Sequence, residues 1–316
     1  MSQKISLLLL SAVAHAAVVP LSGAVLRYRA HASRSVLASY GLGFLRVLRR
    51  TYEFEGWEGL FKGVIPTFLG VLIFRGSLML VKVHPTFPLM VMAAPQINLI
   101  ESPFFILISS MIEVPAQIVL VRTTLTNYKI PWYNPILALR LLFSPSERQS
   151  PWIIYLTPGL MLSLFLQYAM QFFVIRLSFL LGSTIWNNWS LYETQFSSPS
   201  MFGLFVILGM LGISLAFLAY TVLLTPLKVI CTRLAQQRNW ITHEGDQFSE
   251  ADEAEVYGLS VYSVEETVCI HDASEPYSGF IDCYHRIVEQ EGWRALYRGW
   301  WYSIASQAVL LLLWMS

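Results

Sequence analysis

The segment Glu55-Gly56-Trp57-Glu58-Gly59-Leu60-Phe61-Lys62-Gly63 returns near the C-terminus as Glu291-Gly292-Trp293-Arg294-Ala295-Leu296-Tyr297-Arg298-Gly299. In a chain otherwise built of long apolar runs, such a repeat points to a pseudo-symmetric membrane bundle. Spacing supports it. Pro20 to Arg27, Pro115 to Arg122 and Pro226 to Arg233 share one Pro-to-Arg interval. The interval from Pro20 to Glu55, laid off from Pro115, ends just before Pro151-Trp152 and brings Trp152 into register with Trp57 and Trp293. The third unit is longer by one insertion. The chain therefore reads as a single domain over 1–316, in three repeats, 1–95, 96–190 and 191–316, with an inserted loop over 240–275.

At 55% hydrophobic, 13% charged and a net charge of +1, the chain suits a bilayer better than water, and its composition argues against nucleic acid as a partner. Apolar stretches cover 5–26, 64–83, 97–121, 153–181, 201–224 and 300–314, mostly near the ~20 residues a spanning helix needs. That is two spans per repeat. A further patch around Phe87 is broken by Pro85, Pro88 and Pro95 and reads as a connection. Lys4, an apolar run and Ala14-His15-Ala16 resemble a signal peptide, but cleavage would remove half of a helix whose Pro20 stands in repeat register. Cys231, Cys269 and Cys283 show neither a disulfide framework nor metal-ligand spacing. No nucleophile–base pair or phosphate-cradling Gly loop marks an enzyme, and no cofactor is implied.

Each repeat reads as helix, loop, short surface helix, helix. Arg46, Arg49 and Arg50 alternate with Phe44, Leu45, Val47 and Leu48, a basic amphipathic pattern for a membrane surface; Gly279-Phe280-Ile281 and Arg286 answer it in the third repeat. The 240–275 insertion holds half of the chain's 20 acidic residues and no Lys or Arg, so it reads as a solvated, partly disordered loop. His15, Arg75, Glu113 and Arg176 are ionisable groups inside apolar stretches, where pathway roles compete with snorkelling. Trp57, Trp152, Trp293, Trp300 and Trp301 gather where each second helix begins, as an interfacial belt does.

These residues resemble the mitochondrial carrier family. That family repeats Pro-x-acid-x-x-base-x-base and then acid-Gly-x4-aromatic-base-Gly three times. Glu55-Gly56 with Phe61-Lys62-Gly63, and Glu291-Gly292 with Tyr297-Arg298-Gly299, match the second motif; the middle repeat keeps register only, with Pro158 where the last Gly would stand. The resemblance implies an all-α membrane protein with six transmembrane helices, three amphipathic matrix-side helices, and odd helices kinked at Pro20, Pro115 and Pro226. Family gate positions hold Ser22, Gln117 and Lys228 in place of acids and Val25, Leu120 and Cys231 in place of bases. What remains is Arg27, Arg122 and Arg233, which with Lys228 form a matrix-side ring expected to lack acidic partners. The cytoplasmic gate is likewise lost at Val81-Lys82-Val83-His84 and Ile175-Arg176-Leu177-Ser178.

Counting from each repeat Gly, the resemblance places substrate contacts at Gly70, Phe165, Leu166 and Ser306, with His15 as a further cavity candidate. Their lack of charge suits a neutral or weakly polar solute. Lys62, Gly63, Gly279, Arg298 and Gly299 resemble the family's cardiolipin positions, where helix N-termini and a cation receive phosphate. The expected function is solute transport across the mitochondrial inner membrane by a monomer, through a central three-fold cavity with degenerate gates. The alternative is a carrier-fold scaffold, fusion factor or insertase in the outer membrane, meeting a protein partner through the 240–275 loop.

Overall fold

A computed structural model describes residues 18–31, 43–70, 102–130, 134–187, 199–238, 254–262 and 276–305, and among them the long apolar segments are helical. Helix α1 covers 18–30, α2 Phe44–Leu60 and α3 64–70. The middle of the chain gives α4 (Ser102–Leu125), α5 (Pro135–Leu142), α6 (Pro145–Gln149), a 3-10 turn (Pro151–Leu156) and α7 (Leu160–Asn187). The last part gives α8 (Pro199–Gln236), α9 (Phe280–Glu291), a 3-10 turn (Trp293–Tyr297) and α10 over 300–305.

Two boundaries differ from the sequence expectation. The span expected over 153–181 starts at Leu160, because Pro158-Gly159 cannot continue the preceding 3-10 turn as α-helix. The span expected to stop at Leu224 runs through Pro226 to Gln236. Pro115 and Pro226 both lie inside continuous helices, as a packed membrane bundle permits when neighbouring groups serve the freed carbonyls. Hydroxyls are satisfied locally: Thr124 donates to Leu120 O at 2.6 Å and Thr225 to Thr221 O at 2.7 Å. Among the described residues, Ile106–Leu125 and Ser214–Gln236 are long and apolar enough to cross a membrane, and Leu160–Val174 is a shorter apolar helix. The expected spans 5–26, 64–83 and 300–314 extend beyond the described residues.

One local pattern occurs three times. A surface helix ends, a tight turn follows, a left-handed glycine reverses the chain, and the next helix begins. In the first copy, Gly56 (φ 66°) breaks α2 and Gly63 (φ 92°) precedes α3; in the third, Gly292 (φ 83°) ends α9 and Gly299 (φ 70°) precedes α10. Glycine meets these angles without the steric cost of a Cβ. In the middle copy Ser150 (φ −134°) ends α6, and the reversing residue is Gly159 (φ 78°), one place beyond the Pro158 that sequence register selected.

The core lies where the odd helices converge. Val114, Ile118 and Val121 of α4 pack with Leu160 and Leu164 of α7 and with Val229, Ile230 and Leu234 of α8, while Val47 and Ile287 close it from the surface helices. The outer face is apolar too: Phe104, Leu107, Phe173, Leu211, Leu215 and Leu223 are exposed, as lipid-facing side chains are. Trp57, Trp152 and Trp293 stay exposed at the turns.

In the middle repeat Ser144 caps α6 reciprocally: Glu147 N donates to Ser144 Oγ at 3.4 Å and Ser144 N to Glu147 Oε2 at 3.0 Å. Ser144→Ala removes one half of this box and should cost about 1 kcal/mol, read as a midpoint lowered by a few degrees in thermal unfolding of the detergent-solubilised protein.

Candidate functional site

The odd helices α1, α4 and α8 end close together, and each carries its arginine in the last turn. Each arginine has an acidic partner, contrary to the expectation of an unpaired ring. Arg27 Nη2 meets Glu55 Oε2 at 2.7 Å, Arg122 grips Glu147 through two bonds of 2.7 and 2.9 Å, and Arg233 Nη2 meets both oxygens of Glu291 at 2.8 and 3.1 Å. The carboxylates come from the surface helix of the same repeat rather than from the odd-helix motif. In the middle repeat Glu147 replaces the expected register position, Ser150; it approaches from the adjacent helix turn, which its capping box fixes. These charges are buried, so their mutual hydrogen bonds offset a large desolvation cost.

The remaining donors reach from one repeat to the next. Lys62, paired with Glu55 at 2.8 Å, donates to Thr126 O beyond α4 at 2.7 Å. Arg122 donates to Gln237 O beyond α8 at 2.7 Å. Arg233 donates to Arg29 O at 2.8 Å and to His31 O, and Arg298, paired with Glu291 at 2.7 Å, also donates to His31 O. Each odd helix thus offers its orphan C-terminal carbonyls, the negative end of its dipole, to a cation of another repeat. The result is a closed cycle of contacts at this end of the bundle. Burial together with Arg298 and Arg233 pushes the His31 imidazole down to about 4, so it remains neutral beside them.

The former gate positions contribute little to this ring. Ser22 donates to Val19 O at 3.0 Å within its own helix, and Val25 and Cys231 are buried. Lys228 lies half-buried on α8, one turn before Cys231 on the same face, and its ammonium donates no hydrogen bond among the described residues. The ring is therefore three Arg–Glu couples, with Lys228 set apart from them.

Deeper in the bundle lies a polar network that sequence register did not identify. Glu113 of α4 accepts from Gln117 Nε2 at 2.7 Å and from the Tyr168 hydroxyl of α7 at 3.3 Å. One residue earlier on α7, Gln167 Nε2 donates to Leu227 O of α8 at 3.4 Å, beside Lys228. Three helices are joined at one level by these side chains. Counting from Gly159, the glycine that does the reversing, moves the expected α7 contact from Phe165-Leu166 to Leu166-Gln167. Phe165 itself lines an open outer groove of about 500 Å³ with Leu107, Tyr155, Leu156 and Pro158. Gly70 faces α4, with Ala116 Cβ 3.7 Å from where its own Cβ would stand. Ser306 and His15, the other cavity candidates, lie outside the described residues, as does Arg75.

The lipid-site candidates are also placed. Lys62 and Arg298 share Glu55 and Glu291 with Arg27 and Arg233, and both are held by neighbouring carbonyls. Gly63 packs on Leu120 and Thr124 of α4, and Gly299 on Val25 and Arg29 of α1. Gly279 heads α9, whose first residue, Phe280, abuts Gly159 at the head of α7. Two helix N-termini thereby stand side by side.

Part of the insertion, expected to be a solvated, partly disordered loop, packs against the bundle. Residues 254–262 form an antiparallel bridge, Tyr128 with Val261, flanked by Lys129 N to Ser260 O and Tyr262 N to Asn127 O, both 3.0 Å. Aromatic and β-branched residues there supply contacts that the acidic composition of the surrounding loop conceals.

The model of one protein family, described as mitochondrial carrier protein, matches residues 6–82 and 207–315, more than half of the chain. The unmatched stretch contains the repeat whose glutamate and glycine are displaced. Comparison with curated proteins and with solved structures found no match.

Proposed function

Because this chain belongs to the mitochondrial carrier family, we propose that it moves a small, net-neutral, weakly polar solute across the mitochondrial inner membrane through the centre of a six-helix, three-repeat bundle. Members of the family are membrane transporters of the mitochondrion rather than enzymes. What carries the choice of solute is the network of Glu113, Gln117 and Tyr168, with Gln167 beside it, at one level of helices whose outer faces are apolar. Polar side chains at that depth are costly unless they serve each other or a passing ligand. Glu113 and Lys228 bring a single acidic and a single basic group to this region, so a multiply charged anion would lose its hydration without matching compensation. A solute with hydroxyl, amide or balanced charges can exchange hydrogen bonds with the network instead.

The same reading assigns a monomer and a cardiolipin seat at the paired N-termini of α7 and α9, where Gly159 meets Phe280. It is tested by the thermal stability of the purified protein against a panel of neutral, zwitterionic and polyanionic metabolites. The expected result is a raised midpoint with one net-neutral group of compounds, abolished by Glu113→Gln together with Tyr168→Phe. Stabilisation by polyanions alone would contradict the proposed solute class.

A further inference from the structure

The docked part of the insertion touches two repeats while belonging to a third. Its backbone pairs with Asn127–Lys129, just beyond the end of α4. The Tyr262 ring lies under Lys62 Nζ, 4.1 Å from ring centroid to nitrogen, and under Lys129 Nζ at 5.0 Å. Arg140 of α5 donates to the Tyr257 hydroxyl at 2.6 Å, and Ala254 is buried. Lys62 is the residue that already bonds Glu55 and Thr126 O, so Tyr262 covers the seam at which the first repeat is joined to the second.

Resting on the transport reading above, we propose that 254–262 is a releasable clamp that holds the turn carrying Lys62, between α2 and α3, to the end of α4 and must detach before that end of the bundle can open. Opening requires the donors of the first repeat to leave the carbonyls beyond α4. Tyr262 and the two ladder bonds hold both sides of that contact. A bridge of one residue pair is weak enough to break repeatedly, unlike the buried Arg–Glu couples beneath it.

The bridge geometry provides the test. Bonds on both flanks make Tyr128 and Val261 a non-hydrogen-bonded pair, the closer kind in an antiparallel ladder, with Cα atoms about 4.5 Å apart. That separation suits a disulfide. In the full-length protein, Tyr128→Cys with Val261→Cys should oxidise readily and lower solute uptake at least tenfold, with recovery on reduction. A formed disulfide that leaves uptake unchanged would overturn the proposal. Hydrogen exchange gives a readout that does not need transport: Tyr262→Ala should speed exchange at Lys129 N about tenfold and also loosen the segment carrying Lys62, whereas Tyr262→Phe keeps the ring and the wild-type rate. Equal rates in wild type and Tyr262→Ala would also overturn it. Absence of uptake in the wild type counts against the transport reading, and the exchange comparison then decides the clamp alone.

Discussion

Glu147→Ala will cost about 3–5 kcal/mol of stability, because it strands the guanidinium of Arg122 in a buried site. That side chain is only 3% exposed and its partner 0%, and two bonds of 2.7 and 2.9 Å join them. Arg122 would keep its bonds to Leu142 O and Gln237 O, which share its charge but do not neutralise it. Replacing both partners by Met should recover much of the loss, since no uncompensated charge then remains. Arg49 and Glu53 are the internal control: their 2.7 Å pair is 80% and 50% exposed, and Glu53→Ala should shift the midpoint little. Thermal unfolding of all the variants in one detergent checks the contrast. Equal small shifts for Glu147→Ala and Glu53→Ala would show that the couple does not brace this end of the bundle.

Gly159→Ala should be equally severe for a steric reason. A Cβ there would lie 2.3 Å from Phe280 N and 2.8 Å from its Cα, and backbone cannot yield as a flexible side chain can. The φ of 78° adds the left-handed penalty of about 1–2 kcal/mol. With overpacking the total reaches about 3 kcal/mol or more. Gly258→Ala separates the two causes, because its φ is 61° but nothing lies within 4 Å of the added carbon. It should show only the backbone share. The expected pattern is folded protein for Gly258→Ala and little or none for Gly159→Ala, read by size-exclusion profile and unfolding midpoint. Similar profiles for the two would mean that α7 and α9 do not meet as described.

What the sequence made legible and what it concealed follow from which quantity each contact depends on. The turns of the first and third repeats are readable because Glu55 and Glu291 sit in one register with Gly63 and Gly299; their pairing with Arg27 and Arg233 is unexpected from the sequence, although in these repeats the spatial partner and the motif position coincide. In the middle repeat they separate. Arg122 needs a carboxylate within reach, and Glu147, held by its cap to Ser144, meets that need from a different turn than the motif specifies. A left-handed glycine is needed just ahead of α7, and Gly159 provides it one residue late. That single step also separates the expected position, Phe165 in the outer groove, from Gln167, which a count from Gly159 reaches. Glu113 stands out in the sequence as an ionisable group in an apolar run with Gln117 one turn on, but its bond from Tyr168 depends on how α4 and α7 face each other, which spacing along one chain does not encode. The acidic insertion misled through composition: its charges mark a solvated loop, whereas the docked part is carried by Tyr257, Val261 and Tyr262.

On the proposed function, this bundle carries a net-neutral solute past Glu113 and Tyr168. The most direct test is uptake by purified full-length protein in cardiolipin-containing liposomes, with radiolabelled neutral, zwitterionic and polyanionic metabolites and the Glu113→Gln, Tyr168→Phe variant beside the wild type. The expected result is saturable uptake of a net-neutral compound that falls at least tenfold in the variant while folding is retained. No saturable uptake from folded wild-type protein, or uptake of polyanions untouched by the variant, would contradict it.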